Sequence, residues 1–125
     1  MLAEVESLFD TYARLYSDGD LQGVVSLCLT PFLSIRRGEV IHMPDRGSLL
    51  THFTAAIDAN RRATGAEQWT RREIDIRQLG EYSVFATVHW NAVDRNEQLV
   101  RDTRTSYQLL ATPDGWRFVS YTNHF

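Results

Sequence analysis

The chain of 125 residues contains no lysine: all thirteen of its basic residues are arginine. That absence excludes Schiff-base and lysine-nucleophile chemistry at once. A single cysteine, Cys28, excludes an internal disulfide and fits a reducing compartment. No apolar run approaches the roughly 18 residues that a membrane span needs. The opening MLAEVESLF carries two glutamates and none of the basic residues that start a secretory signal, so the chain is expected in the cytoplasm. The four histidines, His42, His52, His89 and His124, include no pair at HxH or HxxxH spacing, and neither a metal nor a cofactor is expected. A formal net charge of −3 speaks against nucleic acid, whose phosphates call for a basic face. Repeats, linkers and low-complexity segments are missing too, which leaves one domain over residues 1–125.

What is present is a clear change of period. Val5, Leu8, Phe9, Tyr12, Leu15 and Tyr16 recur every three or four residues, predicting an amphipathic helix over about residues 3–17. Gly19 closes it and Asp20 caps a short second helix striped by Leu21, Val24, Val25 and Cys28, which Thr30-Pro31 ends. PFLSIRR reads as a short strand, followed by a loop from Gly38 to Arg46. A third helix carries Leu49, Leu50, Phe53, Ala56, Ile57 and Asn60 on one face and stops at Gly65. From there the period falls to two, and further strands are divided at Leu79-Gly80-Glu81, Asp94 to Glu97 and Thr112-Pro113-Asp114-Gly115. The predicted order ααβαββββ sets helices on one side of a long antiparallel sheet, an α+β layout.

This element order resembles the NTF2-like superfamily, which includes SnoaL-like and ketosteroid-isomerase-like domains. The resemblance rests on Tyr12, Gly19-Asp20-Leu21, Gly23 and Val24-Val25 near the start, on TVHW at Thr87–Trp90 and on VSYTNHF at the end. It implies a cone-shaped, cystatin-like fold: three N-terminal helices packed on a curved, mainly antiparallel β-sheet. It also implies an oxyanion-binding tyrosine at Tyr12. Ketosteroid isomerases pair such a tyrosine with a protonated aspartic acid and use an ionised aspartate as base; that family is a worked example of tuned carboxylates. Here the matching positions are Thr105 and Arg36. An arginine cannot abstract a proton, so the isomerase carboxylates and their mechanism are gone.

Strand alternation predicts a cavity lined by Tyr12 and Tyr16 from the first helix, Val88 and Trp90, Thr103, Thr105, Tyr107 and Leu109, then Val119, Tyr121, Asn123 and Phe125. Arg36 joins this lining in one register; a slip by one residue buries Leu33 and Ile35 and turns it outward. No carboxylate falls on the predicted lining, and Glu73 and Asp102 alternate away from it. An unpaired arginine there implies a ligand that is anionic or strongly hydrogen-bond accepting. The expected function is binding of a small, anion-bearing molecule in a tyrosine-lined cavity, through Tyr12, Tyr16, Arg36, Trp90, Thr105, Tyr107, Tyr121 and Asn123. Two readings stand beside it: a SnoaL, dehydratase or cyclase type of enzyme acting on a small hydrophobic substrate, and a dimerisation module with a vestigial pocket. His52 is a candidate acid–base group at the cavity rim. Trp116, Phe118 and Ala92 are expected on the outer sheet face, where an apolar patch predicts a homodimer.

Overall fold

The structure, a computed structural model, describes residues 2–125. Helix α1 (Leu2–Asp18) buries Val5, Phe9, Tyr12 and Ala13 along one stripe, as the periodicity predicts. Its end is fixed by Ser17, whose hydroxyl donates to the Ala13 carbonyl at 2.7 Å and accepts the Trp69 amide at 2.9 Å. Asp20 caps α2 (Leu21–Ser26) by accepting the Gly23 amide at 2.9 Å.

Helix α2 ends earlier than Thr30-Pro31. The Leu27 carbonyl accepts the Phe118 amide at 2.9 Å, so sheet pairing takes over there, and Cys28 opens strand β1 (Cys28–Arg36) instead of closing the helix. Pro31 lies inside β1, and pairing with the neighbouring strand is interrupted between Cys28 and Leu33, where a residue without an amide hydrogen is tolerated. The expected loop after Gly38 is also a strand, β2 (Glu39–Met43), paired antiparallel with β1. Arg37 and Gly38 take φ of 50° and 78°, the left-handed pair that a two-residue hairpin needs.

Helix α3 (Arg46–Thr64) begins on a reciprocal cap between Asp45 and Ser48 and ends on Gly65 in the left-handed conformation. Strands β3 (Gln68–Leu79), β4 (Ser83–Val93), β5 (Leu99–Thr112) and β6 (Gly115–Asn123) complete one six-stranded sheet in the order β2-β1-β6-β5-β4-β3. Every neighbouring pair is antiparallel except β1 and β6, which run parallel. Arg71 on β3 forms a two-pronged pair with Asp10 of α1, at 2.9 and 3.2 Å, clasping helix and sheet together. Among the described residues no helix is long and apolar enough to cross a membrane.

One irregularity reverses an expectation. Gln108 faces Ser120 but Leu109 faces Phe118, so Val119 is an extra residue with no partner. Beyond this bulge the alternation shifts, and Phe118 and Tyr121 both point inward although three residues apart. Phe118 is 1% exposed and packs on Phe9, Tyr12 and Tyr107. Trp116 and Ala92 are buried in the same chain, so the three residues expected as an outer apolar patch do not form one. Hydroxyls and histidines occupy the centre of that outer face instead: Thr87 bonds to Ser106 at 2.8 Å, Ser106 to His124 at 2.7 Å, and His89 to Asp102. The predicted pairing through this face thereby loses the apolar surface on which it was argued.

Candidate functional site

The helices and the inner sheet face leave a cavity of about 450 Å³ between α1, α3 and the strands. It is hollow for a reason visible in α3. That helix turns Ala55, Ala56, Ala59 and Ala63 towards the space, and none of them reaches across it. Val88 and Leu109, expected on the lining, are fully buried core beneath it.

All eight side chains singled out from the sequence border the cavity. The two registers of β1 are resolved by Phe32 and Ser34, at 1% and 3% exposure, which put the even-numbered face inward and set Arg36 at the mouth; Leu33 turns outward. Most of the polar tips are already engaged. Trp90 donates its indole N–H to the Tyr107 hydroxyl at 2.8 Å, and Asn60 of α3 donates to the Tyr16 hydroxyl at 3.1 Å. Thr105 donates to the Asn123 side-chain oxygen at 3.1 Å. Tyr121 bonds to His52 Nε2, with the Ser34 hydroxyl beside it.

Tyr12 is the exception. It is 8% exposed and wedged among Tyr16, Trp90, Tyr107 and Phe118, yet its hydroxyl finds no partner among the described residues and opens onto the cavity. Burial raises the pKa of Tyr12, Tyr16, Tyr107 and Tyr121 above the ordinary tyrosine value of 10, so all four are protonated at neutral pH. Burial lowers the His52 pKa below 6.5, and its ring is neutral there. Burial also pushes the Cys28 thiol up to about 12, which makes it an inert core group.

The expectation of an acid-free lining is overturned by Glu39, which borders the mouth together with Ile41. Both lie on β2, the strand hidden in the sequence by an Arg-Gly turn in place of Asn-Gly. Arg101 was missed as well, although it continues the alternation of Thr103, Thr105 and Tyr107 by one step. Its Nε is shut off from solvent without an acceptor among the described residues. Glu73 and Asp102 lie on the outer face, Asp102 against His89. Among the described residues no group of three His, Cys, Asp or Glu side chains is gathered as metal ligands would be.

The family described as NTF2-like protein (DUF6841) matches residues 3–125. No curated protein matches the chain. Among solved structures, a cystatin-like-fold protein of unknown function from Nostoc punctiforme superposes with a TM-score of 0.79 at 12% identity, over 97% of this chain and 87% of the other. An NTF2-like protein with a cystatin-like fold from Novosphingobium aromaticivorans gives 0.75 at 18% identity, over 97% and 79%. A candidate dehydratase of the NTF2-like family from Streptomyces avermitilis gives 0.73 at 18% identity, over 97% and 92%. At such identities the likeness carries the fold alone.

Proposed function

The chain belongs to the NTF2-like DUF6841 family, and from that premise we propose that it binds a small molecule inside the tyrosine-lined cavity. The observation that carries this reading is the Tyr12 hydroxyl. A buried phenol normally finds a partner, and this one opens onto a space the size of a small-ligand site instead. Aromatic walls supply apolar contact, and the free hydroxyl donates to an oxygen of the ligand. Protein purified under native conditions is expected to retain a small molecule visible by native mass spectrometry, or to gain thermal stability with members of a fragment library. Protein that retains nothing and responds to no fragment rejects the reading.

A second reading, a proton-transfer enzyme of the dehydratase or cyclase kind, is favoured by His52. Its neutral ring faces the cavity, oriented by Tyr121, and a neutral imidazole is the form that accepts a proton. The candidate dehydratase among the neighbours lends this reading no residue. Incubating the retained ligand with protein in deuterated water tests it: a ligand that gains no deuterium discards the enzyme and leaves the binder standing.

A further inference from the structure

We propose that the ligand is an aromatic monocarboxylate, its ring system inside the cavity and its carboxylate held at the mouth by Arg36 and Arg101 in the place now taken by the Phe125 ring. This deepens the small-molecule reading above and rests on it. The guanidinium carbons of Arg36 and Arg101 lie 5.1 and 5.4 Å from the centroid of Phe125, so both border one spot about the size of an aromatic ring. Arg37 reaches the same ring from outside, at 5.8 Å. Neither Arg36 nor Arg101 has a carboxylate within 4.0 Å among the described residues.

Two cations sharing a half-exposed phenylalanine are held weakly compared with cations paired to a carboxylate. The shielded, acceptor-less Nε of Arg101 strengthens the point, because a buried donor left unmade is costly and a carboxylate oxygen relieves it. Phe125 is a placeholder: apolar enough to cover the mouth, exposed enough to be pushed aside. The guanidinium fork matches a planar carboxylate with two parallel hydrogen bonds.

Glu39 sets the charge of the ligand. Its carboxylate borders the same mouth as Arg36 and Arg101 and repels a second negative charge on the ligand, which suits a monoanion and disfavours a phosphate dianion. The body of the ligand is set by Tyr12, Tyr16, Trp69, Trp90 and Tyr107, whose rings offer edges and faces to a flat partner.

The test uses benzoate, 2-naphthoate and 9-anthroate, each beside its uncharged amide, titrated by quenching of the indole fluorescence of Trp69 and Trp90. At least one acid is expected to bind about tenfold more tightly than its amide. Arg36→Met and Arg101→Met each erase that preference, weakening acid binding far more than amide binding, while Phe125→Ala tightens acid binding. If Arg101→Met does not fold, Arg36→Met with the Phe125→Ala comparison carries the same test. Acid and amide binding alike overturns the clamp and spares the cavity reading. Inorganic phosphate competing as well as benzoate overturns the monocarboxylate assignment. Failure of every acid and amide to bind overturns the clamp, while the cavity reading is judged separately by the retained molecule and the fragment library.

Discussion

Tyr12 and Tyr107 stack edge to face in one cluster, yet their hydroxyls have opposite meanings for the chain. The Tyr107 hydroxyl accepts the Trp90 indole N–H, so Tyr107→Phe leaves a buried donor without its acceptor. That loss is expected to destabilise the fold by about 1–3 kcal/mol, read as a lower urea midpoint. Tyr12→Phe removes a hydroxyl that bonds to nothing among the described residues, and stability is expected to stay level or rise slightly. Its cost falls on the ligand instead, as an affinity lower by about tenfold in the same titration that scores the acids. If Tyr12→Phe proves as destabilising as Tyr107→Phe, the Tyr12 hydroxyl is structural and the observation carrying the proposed function is lost. The contrast is legible only in three dimensions. The sequence shows that both tyrosines sit on inward faces, but which hydroxyl is already satisfied depends on Trp90, fifteen or more residues from either.

Among the elements, α3 decides whether there is a cavity at all. Its alanines stand where larger side chains would meet the sheet, so the hollow is written in a small-residue face of which helical periodicity marks only Ala56. Ala56→Leu extends a side chain into this space and is expected to stabilise the fold by about 1 kcal/mol by filling it. The same change is expected to abolish ligand retention. Retention unaffected by Ala56→Leu places the ligand elsewhere. The strands show how far periodicity carries. β4 alternates without interruption, and its inward set from Val84 to Ala92 follows from counting by two. β6 contains the Val119 bulge, and counting back from Tyr121 therefore put Val119 inside and Phe118 outside, the reverse of the structure. A bulge leaves no mark in composition; it exists because Tyr121 and Phe118 both gain aromatic neighbours by facing the core. β2 stayed hidden for a different reason. Only Met43 of its five residues is buried, so no apolar alternation announces the strand, and with it went Glu39 and Ile41 at the cavity mouth.

For the molecule as a whole, the cavity tyrosines and His52 set two edges of a stability plateau. Tyr12, Tyr16, Tyr107 and Tyr121 keep their protons in the fold beyond the value of 10 at which an unfolded chain releases them. Their contribution is full below about pH 10 and is lost as pH rises past it, because the unfolded state gains by ionising first. His52 acts at the other edge with the opposite sign. Its folded pKa lies below 6.5, so its contribution is full above that pH, and the unfolded chain takes up a proton first as pH falls through the window beneath. Urea midpoints are therefore expected to stay flat between about pH 7 and 9.5 and to fall on both sides, with the acid slope reduced in His52→Gln. Phenolate absorbance separates the tyrosines from other alkaline effects. Tyr82 is the exposed member of the five, and Tyr82→Phe removes it from the signal. In that variant, absorbance from the remaining tyrosines is expected to rise only together with loss of the folded circular-dichroism signal. A smooth rise while the fold persists means that the phenols ionise in place, and the burial described for these four tyrosines is then wrong.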